Sequence, residues 1–249
     1  MSGHSKWHSI KHKKMATDQK RGKIFTKLIK EIMVATKMGG ANPETNSRLR
    51  MAIEKAKSYN MPNDNIQRAI KKGSGAEGGV NYEQVSYEGY GPGGVAIYVE
   101  VLTDNKNRTA SEIRSIFSRH NGNLGGQGSV AWIFERKGLI TVKKEKSEED
   151  KLFEIVLEAG AEDMKTEKDT YEIITTPENF ENVKKALQDN QIEIESASVT
   201  LIPKNTVKVE GKEAEQLLKL LDDLEEDEDV QGVYANFDIP DEILETIEK

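Results

Sequence analysis

Between Ala16 and Lys37 the apolar residues Ile24, Phe25, Leu28, Ile29, Ile32 and Met33 return every three to four positions. At about 100° per residue they share one side of a helix. Lys20, Lys23, Lys27 and Lys30 fall on the opposite side, so reversing their charge is expected to spare the fold. Gly39-Gly40 predicts the end of this helix. A second helix is predicted from Asn42-Pro43, an N-cap followed by a proline suited to the first helical position. It turns Leu49, Ala52, Ile53 and Ala56 inward and Arg48, Arg50, Lys55 and Lys57 outward. A third, shorter helix starts near Pro62-Asn63, with Ile66, Ala69 and Ile70 inward and Arg68, Lys71 and Lys72 outside. Gly73 ends it, and residues 73–79 read as a flexible linker.

Beyond residue 80 the period changes. Val85–Glu88 and Val95–Thr103 read as strands, Asn107–His120 as a helix, and Ser129–Glu135 and Leu139–Val142 as strands. Helices are expected over Glu148–Glu158, Asn179–Asp189 and Lys212–Leu224. Strands are expected at Tyr171–Thr175, Ile192–Ile194, Ala197–Ile202, Thr206–Val209 and Val230–Phe237. This punctuation predicts an α+β multidomain protein: an N-terminal three-helix domain plus two ferredoxin-like α/β domains, one inserted in the other. The expected boundaries are 1–79 for the arm and helical domain, 80–136 with 201–249 for the first α/β domain, and 137–200 for the inserted, acidic one.

Charge sharpens this division. Residues 1–75 hold 17 basic and 5 acidic side chains, and residues 145–249 hold 11 and 31. The formal net charge of −7 therefore describes no part of the molecule. A basic head on an acidic body points to polyanion binding by the head and to a solubilising or basic-protein-binding role for the body. The competing reading is that the two ends neutralise each other within the fold. The chain has no Cys, which excludes disulfides, thiolate metal sites and a Cys nucleophile. No apolar run approaches the roughly 18 residues that span a bilayer, and the basic N-terminus has no apolar signal core. A cytoplasmic monomer that does not bind membranes is expected.

Residues 1–15 read as a basic arm, in which Lys6, Lys11, Lys13 and Lys14 surround Trp7. Lysines contact phosphates and an indole stacks on a base. The candidate nucleic-acid-binding set is therefore Lys6, Trp7, Lys11, Lys13, Lys14, Lys20, Arg21, Lys23, Lys27, Lys30, Arg48 and Arg50. His4, His8 and His12 are spaced for one helical face, but no Cys or carboxylate lies near to complete a metal site. No metal or other cofactor is expected. Gly89, Gly91 and Gly94 match a dinucleotide fingerprint, yet a strand rather than a helix follows, so a hairpin connection is expected. Residues 122–128 form a second Gly-rich loop, whose amides suit an anion although a plain turn is the simpler reading. Trp132 and Phe134 alternate on one face of a strand, as base-stacking aromatics would, but no RRM-type octamer surrounds them and core packing is the stronger reading, so a change at Trp132 is expected to destabilise the protein. The run at 222–229, DDLEEDED, reads as a solvated helix end, with a basic partner as the alternative. No catalytic signature is present, and no enzymatic activity is expected.

An ordered set of motifs resembles the YebC/PmpR family along nearly the whole chain. It runs through Gly3-His4-Ser5-Lys6-Trp7, Ile10-Lys11-His12, Lys20-Arg21-Gly22-Lys23-Ile24-Phe25-Thr26-Lys27-Leu28, Arg48-Leu49-Arg50, Asn60-Met61-Pro62 and Arg68-Ala69-Ile70-Lys71. It continues through Tyr87-Glu88-Gly89-Tyr90-Gly91-Pro92-Gly93-Gly94, Thr103-Asp104-Asn105 and Gly128-Ser129-Val130-Ala131-Trp132. His8-Ser9 and Gly125-Gly126-Gln127 depart slightly. The resemblance implies three domains, one helical and two α/β, and a cytoplasmic regulator. Some members are described as DNA-binding transcriptional regulators. Others, including a mitochondrial activator of cytochrome oxidase synthesis, act in translation, and some are linked to relief of ribosome stalling. The ligand implied is thus DNA, or ribosomal RNA in the alternative.

Overall fold

The computed structural model describes residues 18–75 and 81–240, with side chains from residue 22 onward. The helical part consists of α1 (Asp18–Gly39), α2 (Ser47–Ser58) and α3 (Asn63–Gly73). Then come β1 (Glu83–Tyr90), β2 (Ala96–Thr103), α4 (Lys106–Arg119) and β3 (Asn123–Leu124). The next elements are β4 (Phe134–Lys143), α5 (Glu149–Glu158), β5 (Asp163–Thr166), β6 (Thr170–Thr175), α6 (Phe180–Asp189) and β7 (Ile194–Pro203). The chain finishes with β8 (Val207–Lys208), α7 (Gly211–Glu226), β9 (Val230–Ala235) and β10 (Phe237–Asp238). Residues 132–205 form one compact unit, and the described residues on either side of them form another.

In the larger unit α1 packs against both α2 and α3. The seam buries Leu28, Ile32, Met33, Leu49, Ala52 and Ile66, and a fully buried Leu or Ile contributes about 2 kcal/mol. Helix α2 starts at Ser47 rather than near Pro43, because Asn46 is its N-cap and accepts from the Leu49 amide at 3.1 Å. The Asn46 side-chain amide also donates to the Ala35 and Gly40 carbonyls, each at 2.8 Å, so one buried side chain ties two helix ends together. Asn42 instead closes a turn by accepting from the Glu44 amide.

The same unit holds an antiparallel sheet of order β3-β1-β2-β9. β1 and β2 form a hairpin with Gly89 opposite Ile97, so the glycine-rich fingerprint at 89–94 is a strand connection. One face of β2, with Ile97, Val99 and Val101, packs on Ile113 and Phe117 of α4 and on Leu217 and Leu221 of α7. Gly89 must stay side-chain-free, since a Cβ there would meet the Asn123 carbonyl at 2.6 Å and the Phe117 ring at 2.7 Å. Glu88 and Tyr98 pair across β1 and β2 on the other face.

The smaller unit has the order β-α-β-β-α-β and a sheet of order β5-β6-β4-β7, in which every pair is antiparallel. That is the ferredoxin-like arrangement. Ile140, Val142 and Ile173 meet Leu152 and Val156 of α5 and Val183 and Leu187 of α6.

Three local expectations change. Residues 134–143 are one strand, because Gly138 pairs with Thr175 on one side and Val199 on the other and does not break it. The edge strand β5 reads DMKT, too polar to show a period. The strand expected over Ser129–Glu135 begins only at Phe134, and Ala131–Ile133 is a 3-10 turn. The amides of Val130 and Ala131 bond to a carboxylate instead of a neighbouring strand.

Candidate nucleic-acid interface

Of the basic residues expected to contact nucleic acid, Lys6, Lys11, Lys13 and Lys14, together with Trp7, lie outside the described residues, as do the three arm histidines. Lys20 and Arg21 lie on α1, with their side chains outside the described set. The other three lysines of the stripe are paired within the chain, Lys23 while still exposed and Lys30 while buried. They meet the end of α7 and the acidic segment that follows it. Lys23 Nζ lies 3.7 Å from the Glu226 carboxylate and 3.4 Å from its carbonyl. Lys27 donates to the Glu225 carbonyl. Lys30 donates to the Glu228 carbonyl at 3.0 Å and pairs with Asp229 at 2.7 Å. Lys30 is only 8% exposed, which corrects its expected place on a solvated face.

The physical reason is a match of ends. The last carbonyls of a helix lack intrahelical donors and carry the negative end of its dipole, so cations dock there. Three further acids in the run, Asp222, Asp223 and Asp227, strengthen that field. The acidic run is therefore not merely a solvated helix end; its basic partner is α1 of the same chain. Mutual neutralisation, the competing reading of the charge split, holds for these lysines.

Asp229 is the centre of this junction. Its Oδ1 accepts from Lys30, and its Oδ2 accepts from Arg108 at 2.5 Å and from Thr109 at 2.8 Å. Thr109 and Thr103 are fully buried beneath it. Burial by itself would raise the Asp229 pKa, but the hydrogen bonds from Lys30, Arg108 and Thr109 outweigh it and lower the value from 3.8 to about 2. The carboxylates of Glu112 and Asp227 lie close to Asp229, but both Asp229 oxygens are already engaged by donors.

A depressed carboxyl pKa stabilises the folded chain above the unfolded value and loses that contribution as pH falls through the folded one. Asp229 should thus contribute about 2 kcal/mol near neutrality, most of it lost between about pH 5 and pH 2. Urea unfolding of wild type and Asp229→Asn across this range should show their stability difference shrinking by about that amount. A difference independent of pH would contradict the assignment.

Arg48 and Arg50 differ from one another. Arg48 holds Glu31 through two nitrogens, at 2.7 and 3.1 Å, and also reaches Gln84. Arg50 is exposed and donates only to backbone, at the Pro43 and Glu44 carbonyls. The remaining cations of α2 and α3, Lys55, Lys57, Arg68, Lys71 and Lys72, are exposed. Among the described residues, Lys55, Lys57, Arg68 and Lys72 make no ion pair. Their outward positions were legible in the helical period. What marks Lys55, Lys57, Arg68 and Lys72 out from the α1 lysines is the tertiary fold, which pairs the α1 group and leaves these four exposed.

The second Gly-rich loop does cradle an anion, and the anion is internal. The Glu88 carboxylate, 4% exposed, accepts from the amides of Gly128, Val130 and Ala131 at 2.7, 2.7 and 2.8 Å. Burial works to raise its pKa, and the three amides reverse this and lower it. Gly128 has φ +84°, where a side chain would be strained. Tyr90 adds a hydrogen bond from its hydroxyl to the Ser129 carbonyl at 3.1 Å. Nothing in the local sequence pairs Glu88 with residues forty positions away. Trp132 follows this loop and is 63% exposed, whereas Phe134 is 7% exposed. The expected core role holds for Phe134 and fails for Trp132.

Among the described residues no helix is long and apolar enough to cross a membrane. Comparison with known proteins gives a consistent result over the whole chain. Residues 5–76 match the model of the TACO1/YebC protein N-terminal domain, and residues 82–237 match that of the TACO1/YebC second and third domain. A probable transcriptional regulatory protein of Natranaerobius thermophilus is 59% identical over 249 residues, covering 99% of this chain and 100% of the relative. One of Dictyoglomus thermophilum, with the same description, is 60% identical over 248 residues, covering 99% and 100%. The crystal structure of a conserved hypothetical protein from Aquifex aeolicus superimposes with a TM-score of 0.79 at 51% identity, covering 90% of this chain and 92% of that one.

Proposed function

This chain belongs to the TACO1/YebC family, and we propose that it is a nucleic-acid-binding regulator of transcription that works in the cytoplasm without catalysing a reaction. The names of the close relatives support the regulatory part of this reading. The observation that carries nucleic-acid binding is the open set of cations on α2 and α3, beside α1 lysines that are already neutralised. Exposed cations release counterions from phosphates, whereas paired ones would first have to give up their carboxylates. Arg50, Lys55, Lys57, Arg68 and Lys72 therefore carry the phosphate contacts, joined by Lys6, Lys11, Lys13 and Lys14 of the N-terminal segment. Such contacts hold the backbone and leave sequence unread. The acidic C-terminal third, beyond what α1 occupies, suits basic proteins.

Reversing Lys55, Lys57, Arg68 and Lys72 to Glu together should weaken binding of labelled nucleic acid by at least about tenfold in low salt and flatten its salt dependence. Unfolding midpoints should stay near wild type, because these side chains are exposed. Unchanged affinity would remove the reading. Crosslinking in cells followed by sequencing of the attached strands identifies the ligand: promoter DNA supports transcription, and ribosomal RNA would make the protein a translation factor.

A further inference from the structure

Helix α5 of the smaller unit buries Leu152 and Val156 but leaves Phe153 47% and Leu157 56% exposed. Phe153 and Leu157 are four positions apart, so their side chains adjoin along one line of the helix. Among the described residues no other helix exposes two large apolar side chains at that spacing. A second line runs beside the first. Asp150, Glu154 and Glu158 also recur every four positions, and all three are exposed. Asp150 and Glu154 stand three positions before Phe153 and Leu157, which makes the two lines neighbours on the surface. Among the described residues these three carboxylates make no ion pair. Lys151 is the one cation of the helix, against four acids. The acids at the end of α7 already meet the lysines of α1; those of α5 have no such counterpart.

We propose that this face of α5 docks a basic, amphipathic helical segment of another protein. Apolar side chains of that segment cover Phe153 and Leu157, and its lysines or arginines meet Asp150, Glu154 and Glu158. The inference rests on the reading that the acidic third suits basic proteins and assigns that binding to one helix; it is independent of nucleic-acid binding. Charge selects the occupant. A row of unpaired carboxylates repels nucleic acid. A second copy of this chain, docking symmetrically, would bring two carboxylate rows together. A basic helix repeats its apolar and charged positions at the same three- and four-residue spacing, so it matches both lines at once. Two apolar side chains with a charged flank suit a weak contact that is steered by charge and loosened by salt.

The test uses the full chain and a short labelled peptide of leucine and lysine, with its leucines three and four positions apart, titrated in low salt and read by anisotropy. One control peptide has alanine in place of leucine, and another has glutamate in place of lysine. The alanine peptide should bind at least about tenfold more weakly than the first, and the glutamate peptide should not bind. Phe153→Ala with Leu157→Ala should weaken binding of the first peptide about 10- to 100-fold. Glu154→Lys with Glu158→Lys should weaken it about tenfold or more, a loss that shrinks as salt is added. Circular dichroism should place the melting of both variants near wild type, since only exposed side chains change; were the alanine pair to unfold, the lysine pair would decide alone. Equal affinity in wild type and both variants overturns docking on α5 and leaves basic-protein binding to other acids of the C-terminal third. If neither basic peptide binds wild type, both readings fall. A wild-type mass that doubles with concentration in sedimentation, and no longer does so in the alanine pair, gives the face to a second copy and overturns the proposal.

Discussion

Replacing Lys30 by Glu should destabilise the larger unit by about 3–5 kcal/mol, the scale expected when one partner of a buried ion pair is removed. The ammonium is withdrawn from solvent and touches the Asp229 carboxylate and the Glu228 carbonyl. A glutamate there would set a second negative charge against Asp229, with Asp227 and Glu228 also adjacent in the chain. Arg108 and Thr109 would remain as donors to Asp229 and would limit the damage. Lys30→Met removes the cation without adding an anion and should lose less. Chemical denaturation followed by circular dichroism reads the order wild type, Lys30→Met, Lys30→Glu. A Lys30→Glu protein within about 0.5 kcal/mol of wild type, the range of ordinary surface changes, would contradict the buried-pair account. This also bears on binding assays. Reversing Lys20, Lys23, Lys27 and Lys30 together would abolish binding by unfolding alone, so such a loss says nothing of phosphate contact.

Glu88→Ala is expected to cost about 3 kcal/mol or more. Three amide donors lose their acceptor at once; the Val130 amide is buried, and those of Gly128 and Ala131 are partly so. Each buried donor left unsatisfied costs about 1–3 kcal/mol, and water entering at the loop recovers part of that. The effect should be local as well as global. Hydrogen exchange at Gly128, Val130 and Ala131 should speed up far more than at the β1–β2 hairpin, where Glu88 sits by backbone pairing that the substitution keeps. Glu88→Gln keeps the shape but offers one oxygen and a donor in place of two acceptors, so it should fall between wild type and alanine. Continued slow exchange at all three amides in Glu88→Ala would mean that something other than this carboxylate holds the loop.

Much of the architecture was legible in the amino-acid order because it rests on local periods. The 3.6-residue rhythm of Leu28, Ile32 and Met33 and of Leu49, Ala52 and Ala56 marked helices whose buried sides match. Most of the order of the smaller unit followed from the change of period and the short connections between elements, but its polar edge strand β5 showed no period and came only from the structure. The places that misled were those where a distant group overrides the local pattern. Ser129–Glu135 alternates like a strand, but Glu88 claims its amides from forty residues away. Trp132 holds an inward parity in that pattern and points outward once the strand is replaced by a 3-10 turn.

The same division runs through the charges. Sequence alone determined that a basic head is joined to an acidic body, because counting charges needs no coordinates. It also placed the α1 lysines opposite the apolar stripe, since helical geometry sets side-chain direction. Only the tertiary structure decided which cations stay open. A helix has more than one neighbour, and α1 turns its second face to the carbonyls and carboxylates at the end of α7, some two hundred residues along the chain. Coulomb attraction in a partly buried junction is strong at contact and blind to separation along the chain. That is why the pairing of Lys30 with Asp229 left no mark in any local pattern, while the exposure of Lys55, Lys57 and Lys72 follows the helical period alone.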